Sequence, residues 1–98
     1  MKEESTELMD SLLNAYNEEA WNDYVQACRI MDPAVRSQLN HIEVPEDLAV
    51  VLNYNLGEHD AEKWLFRKVP ALDNIQPYEL VHTERGMRIL KEALMRFP

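Results

Sequence analysis

Ninety-eight residues make one domain with room for a single, thin core, because a chain of this size leaves roughly a third of its unfolded surface exposed. Two glycines among abundant Leu, Ala, Glu and Met favour helix over sheet. The net charge of −8 is uneven: residues 1–49 hold eleven acids against three bases and residues 50–98 hold seven of each. That balance excludes a nonspecific DNA binder, which needs clustered Lys and Arg.

From Leu8 the apolar positions fall at 8, 9, 12, 13, 16, 20, 21, 24, 27, 28 and 31, a sustained helical period. It reads as two helices parting at "YNEEAW" in preference to one helix from Ser5 to Met31. Asn17 would cap the second helix, with Glu18 and Glu19 in its first turn. In "DPAVRSQLN", Asp32 as cap and Pro33 at the first helical position predict a short helix to about Asn40. Pro45 repeats the device for a helix carrying Leu48, Val51, Leu52 and Leu56, ended by Gly57.

"EHDAEKWLFRK" follows as a helix with Ala61, Trp64 and Leu65 inward, then "VPALDNI" as a loop without helical period. Pro77 opens one helical turn, and Thr83 caps a last helix with Met87, Leu90, Leu94 and Phe97 on one face. Leu72 should fold back onto Trp64, and Leu80 should point inward. Gly86 stands in a first turn where an exposed position would tolerate a side chain, so its use there implies close approach by another backbone. The fold class is all-α, a small bundle of five to seven short helices. Residues 1–44 form an acidic amino-terminal part and residues 45–98 the remainder.

Little in the chain points to catalysis. His59, Asp60 and Glu62 lie close together and His82 and Glu84 flank a helix start, but each set is a fragment of the three or four converging ligands that zinc requires. The plainer roles are capping for His59 and Asp60, and a position before a helix for His82. Cys28 falls on an apolar helix face as a small buried thiol, without the base and orienting group a nucleophile needs. No Gly-rich phosphate loop is present. The expectation is a non-enzyme with no cofactor and no metal.

A helix-turn-helix could be forced onto "DPAVRSQLNHIEVPEDLAVVL", but its recognition helix would open with Glu46 and Asp47 and offer no base. Direct DNA contact is therefore disfavoured. A single cysteine cannot form an internal disulfide, "MKEESTE" lacks an apolar run, and "LAVVL" is far too short for a membrane span. The expected location is the cytoplasm. Trp21 and Tyr24 on the amino-terminal helices suggest pairing into a dimer or higher oligomer.

The order Ala61, Trp64-Leu65, Pro70-Ala71-Leu72, Pro77, Leu80, Thr83 and Gly86 describes a compact three-piece cap. In "AEKWL" and "PALDNIQPYELVHTERG" it resembles the carboxy-terminal, toxin-binding domain of Xre/MbcA/ParS-type antitoxins, partners of RES-domain toxins. The family pattern runs Ala-x-x-Trp-Leu, a proline-containing loop with Ala-Leu, then Pro-x-x-Leu-x-x-Thr-x-x-Gly. The family usually has glycine where this chain has Asp73-Asn74, and Asn is the best non-glycine residue for a left-handed backbone. Many members carry an amino-terminal DNA-binding domain, which residues 1–44 do not look like.

The resemblance implies an antitoxin that occludes the active site of a RES-domain toxin, an enzyme similar to ADP-ribosyltransferases that acts on NAD. It further implies contacts from Arg85, Arg88, Lys91, Arg96, Phe97 and Pro98, and from the loop at Asp73 and Asn74. Ala61, Trp64, Leu65, Pro70, Leu72, Pro77, Leu80, Thr83 and Gly86 would be the framework behind that surface. Two other functions remain open at this point: a helical adaptor or self-assembling module without a toxin, and a DNA-binding repressor.

Overall fold

The chain is all-α in the computed structural model, which describes residues 7–96. Six α-helices run in order: α1 (Glu7–Ala15), α2 (Glu18–Met31), α3 (Glu46–Leu56), α4 (Glu58–Leu65), α5 (Pro77–Leu80) and α6 (Glu84–Met95). A 3-10 turn, Pro70–Leu72, lies between α4 and α5. The described residues contain no strand, only an isolated antiparallel bridge between Val69 and Ile75.

The amino-terminal period resolves into two helices. Asn17 adopts an extended backbone and its Oδ1 accepts from the Ala20 N–H at 2.9 Å, satisfying one of the donors a helix start leaves unpaired. Helix α3 is central because it is apolar on nearly every side. All residues from Leu48 to Asn53 are buried, beyond the stripe of Leu48, Val51 and Leu52 expected for a one-faced helix. It packs against α2, α4 and α6. Gly57, at φ 85°, ends α3 and begins α4, so no linker separates these two helices.

The described parts of the two segments, residues 7–44 and 45–96, share one core. Met9 and Leu12 of α1 and Trp21, Val25 and Cys28 of α2 join Leu52, Trp64, Leu72 and Leu90 in a single buried cluster. Helix α1 lies across α6 and the 3-10 turn, while α2 packs on α3 and α6. Leu72 thus folds into the same core as Trp64, and Leu90 and Leu94 are buried on α6 with Met87 half-buried.

The helix expected from Pro33 to Asn40 does not form; residues 32–45 are a turn followed by bends and irregular chain. Asp32 still makes cap-like bonds, its Oδ1 accepting from the Ala34 N–H at 3.2 Å and its carbonyl from the Val35 N–H at 2.9 Å, but only one turn results. Beyond it Val35, Ser37, Leu39, Ile42 and Val44 are half-buried while the residues between them are exposed, so a bent strap lays one side on the core. Asn53 holds this strap down: its Nδ2 donates to the carbonyls of Arg36 (2.9 Å) and Gln38 (3.0 Å). Pro45 stands one place earlier than expected, capping α3 rather than opening it.

Candidate functional site

The carboxy-terminal cap is built at three corners. At the first, Pro70 opens the 3-10 turn and Leu72 is buried. Asp73 (φ 64°, ψ 34°) and Asn74 (φ 64°) then take left-handed backbone, which disfavours most side chains and is best tolerated by Asn and Asp. The loop closes on itself. The Asn74 N–H donates to the Val69 carbonyl at 2.9 Å and the Val69 N–H to that of Ile75 at 3.3 Å. Two side chains are therefore left exposed at the tip of a hydrogen-bonded turn.

At the second corner Pro77 starts α5 and is itself fully buried, with Leu80 inward. The third joins α5 to α6. Thr83 Oγ1 accepts from the Gly86 N–H at 2.9 Å, and a Cβ built at Gly86 would lie 2.4 Å from the Leu80 carbonyl oxygen and 2.9 Å from its Cα. The close backbone approach expected at Gly86 is therefore present, and its partner is Leu80. Any side chain here would force α5 off α6.

The framework residues Ala61, Trp64, Leu65, Leu72, Pro77, Leu80 and Gly86 are buried, while Pro70 and Thr83 are exposed at their corners. Among the expected contact residues, Asp73, Asn74, Arg85, Arg88 and Arg96 are exposed. The arginines line the solvent side of α6. Arg85 reaches Asp10 of α1 at 3.3 Å, Arg88 pairs with Glu84 at 2.8 Å and Arg96 with Glu92 at 3.0 Å. Lys91 is placed apart from them: its ammonium lies 3.5 Å from Asp47 and 5.3 Å from the centroid of the Trp21 ring. Phe97 and Pro98 lie outside the described residues.

Asp47 is a hub that its sequence position, in the first turn of α3, did not disclose. Burial alone would push its carboxyl up, but the Trp21 indole N–H at 2.8 Å, the Lys91 ammonium and the Leu48 N–H together hold it below the usual carboxylate range. Trp21 is buried in this arrangement, and the Tyr24 hydroxyl bonds with Asn55. The two aromatic residues expected to promote pairing between chains are engaged within this one. The large apolar residues left exposed are Leu8, Ile30, Met31, Tyr54 and Phe66.

The remaining titratable candidates diverge. His59 and Asp60 lie in the first turn of α4 rather than capping it, since Gly57 takes the cap. His59 faces Lys63, whereas Glu62 turns to the strap and accepts from the His41 N–H. That hydrogen bond lowers the Glu62 carboxyl against the upward push of desolvation, and the His41 ring, 2.9 Å away, adds to it. His82 meets the Tyr78 ring while Glu84 bonds Arg88. No group of three or more His, Cys, Asp or Glu among the described residues is placed to hold a metal. Cys28 is buried, and desolvation pushes its thiol up, away from the thiolate.

The helix-turn-helix shape over residues 32–52 is not formed. Its first helix is the bent strap, and its recognition helix would be the buried α3. No described helix is long and apolar enough to cross a membrane. Comparisons with protein-family models, curated proteins and solved structures found no match. The likeness to antitoxins rests on the residue pattern alone.

Proposed function

We propose that this chain is a non-enzymatic, antitoxin-like protein that works in the cytoplasm by covering the active site of a RES-domain toxin. The observation that supports the reading is the division of labour within the motif. Ala61, Trp64, Leu65, Leu72, Pro77, Leu80 and Gly86 of its framework are buried, whereas Asp73, Asn74, Arg85, Arg88 and Arg96 are exposed. A surface preformed in this way loses little conformational freedom on binding, which is what an inhibitor acting by occlusion needs. Arginine suits such a face, because its forked donor and apolar stem serve both polar and packed contacts. Arg88 and Arg96 are paired with carboxylates one turn away on the same helix, exposed-side pairs that a partner can recruit at small cost.

Co-expression with the RES-domain protein of a neighbouring reading frame tests this. The wild-type chain should relieve the toxin's growth arrest and co-purify with it. The pair Arg88→Glu and Arg96→Glu should abolish both while the free protein keeps its helical circular dichroism spectrum, its melt falling only slightly as the pairs with Glu84 and Glu92 turn repulsive. Failure of the wild-type chain to relieve the arrest would sink the reading and favour an adaptor without a toxin.

A further inference from the structure

We infer that Phe66, Arg67, Lys68, Tyr78 and His82 form a docking surface for an acidic segment of a partner protein that carries an aromatic side chain. This surface lies at the end of α4 and on α5, apart from the arginine side of α6, and does not depend on the antitoxin reading. Phe66 follows α4 directly and at 47% is the most exposed aromatic residue among those described. Its ring stands 5.0 Å from that of Tyr78 at a tilt of 43°, and Tyr78 meets His82 at 4.9 Å and 85°, nearly edge to face. Three rings thus run from α4 across α5 to the turn before α6. A ring serving only to lock α4 to α5 would be covered; half of Phe66 is not.

The charges beside the rings select the occupant. Arg67 and Lys68 are exposed, and no described carboxylate lies within ion-pair distance of either. The six other bases from residue 36 onward each reach a polar side chain of this same chain. On a protein of net charge −8, two adjacent cations that follow Phe66 in the chain and pair with no described carboxylate form a local site of opposite sign. Two cations are too few to track a nucleic-acid backbone, and the exposed Glu79 between Tyr78 and His82 confines a partner's carboxylates to the Arg67 and Lys68 end. A short acidic peptide can place carboxylates on Arg67 and Lys68 and lay one aromatic ring on Phe66.

The test titrates the full chain with a short Asp/Glu-rich peptide bearing one tryptophan, followed by fluorescence anisotropy and by the ring resonances of Tyr78 and His82. Binding should move those resonances and weaken with added salt. Replacing the peptide's tryptophan by alanine should weaken it about fivefold, and the double variant Arg67→Ala/Lys68→Ala about tenfold. Both substituted side chains are exposed, so the variant keeps its fold. The inference is overturned if a Lys-rich peptide binds equally well, if the double variant binds unchanged, or if a short oligothymidylate binds more tightly. It is also overturned if the same resonances move with protein concentration alone, which would assign the surface to a second copy of this chain.

Discussion

Residues 32–45 and residues 66–86 both set prolines among polar residues, yet the second becomes a series of helical corners and the first a strap of turns and bends. Asp32-Pro33 is as good a helix opening as Gln76-Pro77 or better. What differs is the demand made on the residues that follow. After Pro77, Leu80 has a core to enter and the Leu80 carbonyl a glycine to rest against. After Pro33, the inward residues fall at 35, 37, 39, 42 and 44, a set no single helix face covers, and the buried amide of Asn53 takes the Arg36 and Gln38 carbonyls, the first of which a helix would have used itself. Punctuation marks where a helix can begin; the packing partner decides whether it continues.

The largest expected effect breaks the corner side of this contrast. Gly86→Ala should destabilise the protein by about 2–3 kcal/mol even after alanine's helix advantage, because its Cβ meets a backbone oxygen that cannot rotate away. Thermal denaturation followed by circular dichroism should show a fall on the order of 10 °C. An unchanged melt would mean that α5 and α6 are not held together as described.

Asn53→Ala probes the strap. Losing two hydrogen bonds should cost about 1–2 kcal/mol, part of it offset because Asn53 Oδ1 is buried without a partner. Limited proteolysis should then cut within residues 32–45 sooner, leaving the cap intact. If cleavage moves to the cap instead, the two regions are not independent.

Asp47→Asn sharpens the comparison by testing what joins the halves. Its carboxyl is held low in the folded protein, so its contribution is fully present above the ordinary carboxylate range and is lost as pH falls through the lowered folded value. The variant should lose about 1 kcal/mol at neutral pH, a charge-assisted hydrogen bond at a partly exposed site. Variant and wild type should converge in strong acid, as chemical denaturation at several pH values would reveal. Smallest of all, Arg36→Ala removes an exposed pair with Glu58 at 3.4 Å and should change stability by less than about 0.5 kcal/mol.

Much of the fold is legible in the residues because local chemistry and burial agree there. Asn17, Gly57, Thr83 and Gly86 each act at the position their side chain, or its absence, suggests. The strap was hidden because its deciding contact comes from Asn53, a polar residue inside the apolar run "LAVVLNYNL" that local pattern cannot connect to Arg36 and Gln38. The same holds at the candidate site. Burial of Leu72 and Leu80 follows from spacing, whereas Lys91 turning to Asp47 and Trp21 depends on how three helices meet. The ladder of Phe66, Tyr78 and His82 likewise joins residues that carry no common period.

The position of α1 has a consequence for the order of synthesis. Asp10 and its partner Arg85 are 75 residues apart, and Met9 and Leu12 find cover only when α6 is in place. At roughly 5–20 residues per second, α1 waits several seconds for α6 with its apolar side uncovered. Helix α1 is therefore among the last of the described helices to find its place, and Met9 and Leu12 are what a chaperone guarding nascent chains would have to cover in the interval.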